Sequence, residues 1–472
     1  MTRPILGRTP RKLVASASLA ALLALPSLTG CSTTRGAGAG LSTREQAQVQ
    51  VSKKDWARAL PLLEQLHRED PSDLETARSL VEAHVRTHRA DGLIARLEGS
   101  SKSSASGASS DAEGRPPAVT AYMLGLARFA GPSEAERAVD DFRRAVSLAP
   151  EVPELHYRLG LALLESERFG ESLGPLERAH QLAPDRRDVL LPLAKARGRA
   201  GDRPGAVAAL RKLVEAGPTP AEVTVARALM ESLSDPFEQL PRSARGRLEE
   251  GLVWLEERDV PQQAIVAFEE LLREYPDAAV VHALLGLAWQ RVDDAGRAVE
   301  EFKRAVELAP WDGRNHLYLA LLYQSRQRAD QAGEHFERAL ELNPLLDDAW
   351  LSVGDRALER RELDRARRAF AAVTHLRPDW TPGRGKLALA MQLQGDWAAA
   401  DGQLRAVLDR EPENVEFMLR LGILHFERHS RARGESERKD ASKEAEVWLR
   451  KVLAAQPGNA VAARALEALK AP

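Results

Sequence analysis

The chain has 472 residues, of which 29% are charged and only 5% aromatic, and its formal net charge is -2. That length exceeds what one compact core fills, so several domains or a repeat array is expected, and the abundant Ala, Leu, Arg and Glu favour helix over strand. The near-neutral charge leaves no basic field for a phosphate backbone, which argues against nucleic acid as a partner, and the lone Cys31 excludes an intramolecular disulfide or a cysteine-rich metal site.

Residues 1–30 carry Arg3, Arg8, Arg11 and Lys12 with no acid, then an apolar run from Leu13 to Leu28 interrupted by Pro26. This is the layout of a signal peptide, and the run is short for an uncleaved membrane anchor. It ends on Leu28-Thr29-Gly30-Cys31, which resembles the lipobox of bacterial lipoproteins. The resemblance implies cleavage before Cys31 and a covalent lipid on its thiol as the only prosthetic group. Several acyl chains together give stable membrane attachment. Ser32 in place of an inner-membrane-retaining Asp implies the outer membrane, facing the periplasm. Cleavage removes four positive charges and takes the formal charge from -2 to -6. Residues 31–43 (CSTTRGAGAGLST) then read as a lipidated flexible tether with a span of roughly 20 Å.

Beyond the tether a proline ladder sets the organisation. Pro276, Pro310, Pro344, Pro378 and Pro412 are each 34 residues apart, as are Pro150, Pro184 and Pro218. Other columns keep the register: a small residue at Gly286, Ala320, Gly354, Ala388 and Gly422, an alanine at Ala264, Ala298, Ala332, Ala366 and Ala400, and a large apolar residue four positions later at Phe268, Phe302, Phe336, Phe370 and Leu404. Such spacings place the columns on single helical faces, with the small residue admitting a second helix and the proline ending it. The pattern resembles the tetratricopeptide repeat, most closely in GLAWQRVDDAGRAVEEFKRAVELAP and LALLYQSRQRADQAGEHFERALELNP. The resemblance implies an all-α, right-handed α-solenoid of about ten to twelve helix-turn-helix repeats.

Departures from the period divide the chain. Residues 44–98 read as degenerate N-terminal repeats, 99–117 as a Ser/Gly-rich disordered loop, and 118–220 as a repeat array. Residues 221–244 read as an irregular break with a lone helix near Glu222 to Ser232 and a turn at Ser234-Asp235-Pro236. The main array follows over 245–459, with a charged insert near 429–440 expected as a solvated loop, and 460–472 form a capping helix.

No phosphate-binding glycine loop, nucleophile elbow or zinc motif stands out, and no irregular stretch is long enough for a catalytic domain, so an enzyme is not expected. His84 with His88 and His425 with His429 have helical spacing but lack the glutamate a zincin needs, and they read as packing residues, not metal ligands. His156, His282 and His316 share a repeat column with Trp350, which points to a structural role. The family resemblance implies a groove lined by the first helix of each pair. Projected onto this chain, it comprises Tyr157, Leu161, Leu164, Leu287, Arg291, Leu317, Leu321, Gln324, Leu351, Asp355, Leu358, Leu389, Gln392, Leu419, Ile423 and Phe426. The lining is largely apolar, and the Lys/Asn set that clamps a C-terminal carboxylate in chaperone-binding relatives is not reproduced. An apolar or amphipathic segment of an envelope protein is therefore the expected ligand, with no small-molecule substrate. The implied function is a non-enzymatic scaffold of a bacterial envelope complex, serving outer-membrane protein or pilus secretin assembly, gliding motility or cell-wall enzymes. The alternatives are a structural lipoprotein without a defined partner and an accessory repeat subunit of an enzyme complex.

Overall fold

The computed structural model describes residues 41–104, 110, 114–131, 134–233 and 240–470. Cys31, the signal-type segment and most of the tether lie outside them. Among the described residues there is no strand, and α-helices follow one another from Thr43–Ser52 to Ala460–Lys470. Two compact units are formed, one ending at Ala206 and one beginning at Val207.

In the first unit the helix pairs are Thr43–Ser52 with Trp56–Glu69, Leu74–Arg86 with Ala90–Ser104, Pro117–Phe129 with Ala135–Leu148, and Pro153–Glu165 with Phe169–Leu182, followed by Leu190–Arg199. In the second unit Ala279–Arg291 pairs with Ala295–Leu308, Gly313–Ser325 with Ala329–Leu342, Asp347–Glu359 with Leu363–Leu376, and Thr381–Gln394 with Trp397–Leu408. Acidic and amide side chains start several of these helices: Asp294, Asp396 and Asn414 accept the backbone N–H of Arg297, Ala399 and Phe417 at 3.1–3.3 Å.

The small-residue column works as its spacing implies. An added Cβ at Gly125, Gly286 or Gly354 would lie 2.5–2.7 Å from the ring of Phe142, Phe302 or Phe370, and one at Gly160 would meet Leu176 at 2.5 Å. These partners are fully buried, so the second helix closes onto the bare backbone of the first. The column of His156, His282 and Trp350 also has a task. His156 Nε2 and His282 Nε2 donate to the carbonyls of Pro150 and Pro276 at 2.7 and 2.9 Å, and Trp350 Nε1 donates to that of Pro344 at 2.8 Å. Each ring ties the proline turn to the helix that follows it.

A second ladder runs through the turn inside each pair. Lys54 and His88, Glu167 and Gly201, and then Asp259, Asp293, Gln327, Arg361 and Gly395 adopt φ between 52° and 83° at 34-residue intervals. The left-handed residue reverses the chain between the helices of a pair. It also gives the sequence-degenerate N-terminal pairs the same turn geometry as the main array.

Two expectations need correction. The Ser/Gly-rich stretch is partly ordered: Ala90–Ser104 is one helix, and the buried Arg115 donates to Ser100 Oγ at 3.3 Å. The charged insert is not a loop. It lengthens the helix Val415–Arg431 and the helix Glu435–Ala455, because its Glu, Arg, Lys and Ala residues are good helix formers, and Arg428 Nε meets Glu437 at 3.2 Å across the hairpin. The lone helix expected after Pro218 is present as Pro220–Leu233, and the turn expected at Ser234-Asp235-Pro236 lies outside the described residues. Within the second unit this segment packs against distant repeats. Arg227 Nη2 donates to the Leu376 carbonyl at 3.3 Å, His375 Nδ1 donates to the Val214 carbonyl at 3.0 Å, and Arg211 lies over the Trp350 ring.

Candidate protein-interaction surface

The first helices of the pairs carry the projected groove positions, which separate by exposure. Arg291, Gln324 and Leu389 are exposed. Leu161, Leu287, Leu321, Leu351, Asp355, Leu358, Gln392, Leu419, Ile423 and Phe426 are half-buried, while Tyr157, Leu164 and Leu317 are buried. Leu389 belongs with Leu393 to an apolar pair one turn apart, 40% and 46% exposed, on the helix Thr381–Gln394. Asp355 is held by the Lys386 ammonium at 2.5 Å. Leu419, Ile423 and Phe426 pack against the Ala445, Leu449, Ala462 and Ala465 cluster, so the two C-terminal helices cover part of that stretch.

The histidine pairs are not brought together as ligands. His88 sits in the left-handed turn beyond the helix that carries His84. His425 Nε2 donates to Asp401 at 2.8 Å, and His429 Nδ1 donates to the Arg438 carbonyl. Among the described residues no group of three or more His, Cys, Asp or Glu side chains is placed to hold a metal.

The first unit holds a charge cluster that the repeat pattern does not announce. Glu154 accepts Arg158 Nε at 2.7 Å, the Tyr122 hydroxyl at 2.8 Å and Arg186 Nη2 at 2.5 Å. Burial alone would raise its carboxyl pKa, but Arg158 and Arg186 outweigh that and hold it at about 2. Arg186 also grips Asp188 through both Nε and Nη2, at 2.8 and 2.9 Å, and covers the Tyr157 ring with its guanidinium 4.3 Å from the centroid. Tyr157 is thus the floor of an ion-pair network rather than an open contact residue. In the sequence its charged members are Glu154 and Arg158, one turn apart on Pro153–Glu165, and Arg186 and Asp188 just ahead of Leu190–Arg199.

Residues 121–187, 317–380 and 386–460 match the family model of the tetratricopeptide repeat. These three segments, together under half of the chain, are similar to tetratricopeptide repeats. The interlocked glycine and phenylalanine columns are the steric basis of these helix pairs, and TPR arrays are in general scaffolds for protein–protein interaction. No curated protein matches the sequence. Among solved structures, the chain is similar to YrrB, a TPR protein with an unusual peptide-binding site, at 18% identity over 43% of this chain and 98% of that one, with a TM-score of 0.38. It is also similar to MamA, at 20% identity over 35% and 96% with a TM-score of 0.31, and to a chain of the APC/C hetero-tetramer Cut9–Hcn1, at 12% identity over 91% and 96% with a TM-score of 0.36.

Proposed function

We propose that the chain is a lipid-tethered, non-enzymatic TPR scaffold of the bacterial envelope. It is anchored through Cys31 to the outer membrane, faces the periplasm, and holds envelope proteins or peptides on the first helices of its repeats. The observation that carries this reading is the position of the only cysteine, at the end of a signal-type segment and one short Gly/Ser/Thr tether ahead of the first helix. No helix among the described residues is long and apolar enough to cross a membrane. Half-buried leucines and the exposed Leu389 and Leu393 suit an apolar or amphipathic segment, through which the scaffold would serve outer-membrane protein insertion, secretin assembly, motility or cell-wall enzymes.

Affinity capture from detergent-solubilised membranes tests the scaffold reading. The tagged chain is expected to retain a defined set of envelope proteins, which is depleted when Leu321 and Leu389 are both changed to Asp. An unchanged set would remove the first helices from the binding surface.

A further inference from the structure

The proline ladder is interrupted between Pro218 and Pro276, and the helix Pro220–Leu233 lies in the gap. Val223, Ala226 and Met230, at steps of three and four, are its buried face, with Arg227 and Glu231 one turn apart beside them. Within the second unit it packs against the distant helix Leu363–Leu376, where Arg227 Nη2 donates to the Leu376 carbonyl at 3.3 Å. One turn along, Glu231 acts on Arg314 of the adjacent repeat. Burial works to lower the pKa of that guanidinium, but Asp312, Tyr318 and Glu231 outweigh it. Just upstream of the helix, His375 Nδ1 donates to the Val214 carbonyl at 3.0 Å, and the Arg211 guanidinium lies 5.7 Å from the centroid of the Trp350 ring.

Leu376 and Val214 stand at the C-terminal ends of Leu363–Leu376 and Arg203–Glu215, where carbonyls have no partner inside their own helix. The donors are exchanged: Arg227 caps the distant helix, and His375 of that helix caps the one before the break. Gly217 makes room for the exchange, since a Cβ there would stand 3.3 Å from the His375 ring. The repeat pattern does not supply these residues. In the register of His375 the neighbouring repeats carry Glu307, Glu341 and Asp409, whose carboxylates have no proton to donate to a carbonyl. In the register of Trp350 the next repeat carries Arg384, which would repel Arg211. The contact is thus particular to the repeat that begins at Asp347.

We propose that the edge of repeats 313–380, formed by the ends of their second helices and the starts of their first, is a helix-binding surface, and that Pro220–Leu233 is its internal occupant, a clasp that a partner helix of like pattern displaces. The clasp itself specifies the competitor: an amphipathic helix with a narrow stripe of Val, Ala or Met, an Arg for the Leu376 carbonyl and, one turn later, a Glu for Arg314. Its hold is of a releasable kind. Polar contacts to carbonyls and a cation–π contact fasten it, whereas the pairs of the array interlock a buried ring with bare backbone, as Phe370 does with Gly354. Its outer face stays open to solvent, with Val225 48% exposed. Competition by a partner rests on the scaffold reading, and the clasp itself does not.

A fluorescein-labelled peptide of residues 217–233 is titrated against the full chain in detergent, read by anisotropy, and amide hydrogen exchange is followed on the same samples. The chain carrying Arg227→Gln, whose own helix is loosened, is expected to bind the unaltered peptide at least about 10-fold tighter than the parent chain does. The same substitution placed in the peptide is expected to weaken its binding to that chain at least about 10-fold. His375→Glu restores the residue type of the neighbouring repeats and so keeps the repeat able to fold. It is expected to speed exchange in Pro220–Leu233 at least about 10-fold while Ala279–Arg291 keeps its protection. Equal binding by the parent and Arg227→Gln chains, indifference to Arg227 in the peptide, or no binding to either chain would overturn the clasp. Exchange unchanged by His375→Glu, or quickened equally in Ala279–Arg291, would overturn it too. Tight peptide binding by the Arg227→Gln chain, with no envelope protein retained in affinity capture, would uphold the clasp and overturn the scaffold reading together with the competition.

Discussion

Replacing Gly286 by Val and Phe302 by Ala, singly and together, tests the close approach on which every repeat pair depends. An ideal Cβ at Gly286 would lie 2.7 Å from Cε1 and 2.8 Å from Cδ1 of Phe302, whose ring is fully buried. The backbone of one helix and an enclosed ring have little room to give, so overpacking is expected to cost ~1–3 kcal/mol. Removing a helical glycine returns less than ~1 kcal/mol, so the loss prevails. Phe302→Ala empties the same contact and is expected to cost ~3–5 kcal/mol. In the double variant the valine methyls enter the vacated space, and the combined cost should fall short of the sum by ~1 kcal/mol or more. Guanidinium denaturation followed by far-UV circular dichroism and tryptophan fluorescence measures all three. Strictly additive costs, or a neutral Gly286→Val, would refute the steric account.

Further outcomes follow from the turns, the titratable groups and the N-terminus. Gly395 has φ 81° and open space where a side chain would stand, so Gly395→Val should lose ~1–2 kcal/mol from backbone strain alone, whereas Gln327→Gly at the equivalent turn should be neutral or stabilising in the same denaturation assay. His316 is held at about 4 by its burial and by His335 and Arg338, below the ordinary imidazole value of 6.5. Because the folded chain takes up that proton less readily than the unfolded one, the stability it contributes is full above pH 6.5 and is lost as pH falls towards 4. Melts at pH 7.5 and 5 should therefore differ less in His316→Gln than in the parent. Cys31→Ala should move the chain from the membrane pellet to the soluble fraction; persistence in the pellet would contradict lipid attachment.

The period was legible because steric requirements restrict it to a few residue types. Only Gly or Ala admits the facing Phe or Leu, and proline recurs where each pair ends. The left-handed turn was not legible. Lys, His, Glu, Asp, Gln, Arg and Gly all occupy it, since an open turn with positive φ disfavours β-branched residues most and leaves no single residue type as a marker. The packing of Pro220–Leu233 against the Leu363–Leu376 helix was hidden for another reason. It joins residues about 150 positions apart through backbone carbonyls, which leave no pattern in a repeat. The projected groove positions do not share one environment, because the same leucine spacing serves packing at Leu164 and Leu317 and exposure at Leu389. The Glu154 cluster draws on Tyr122, Arg158 and Arg186 from three successive stretches, and no single repeat carries its signature.

The central claim is that the first helices of the repeats receive a protein partner, and site-specific photocross-linking in living cells tests it most directly. Probes at Leu321, Gln324, Leu351 and Leu389 on first helices are compared with probes at the exposed Lys303 and Arg338 on second helices. The account predicts discrete adducts from the first-helix set and none from the second-helix pair. Adducts confined to Lys303 and Arg338 would contradict it.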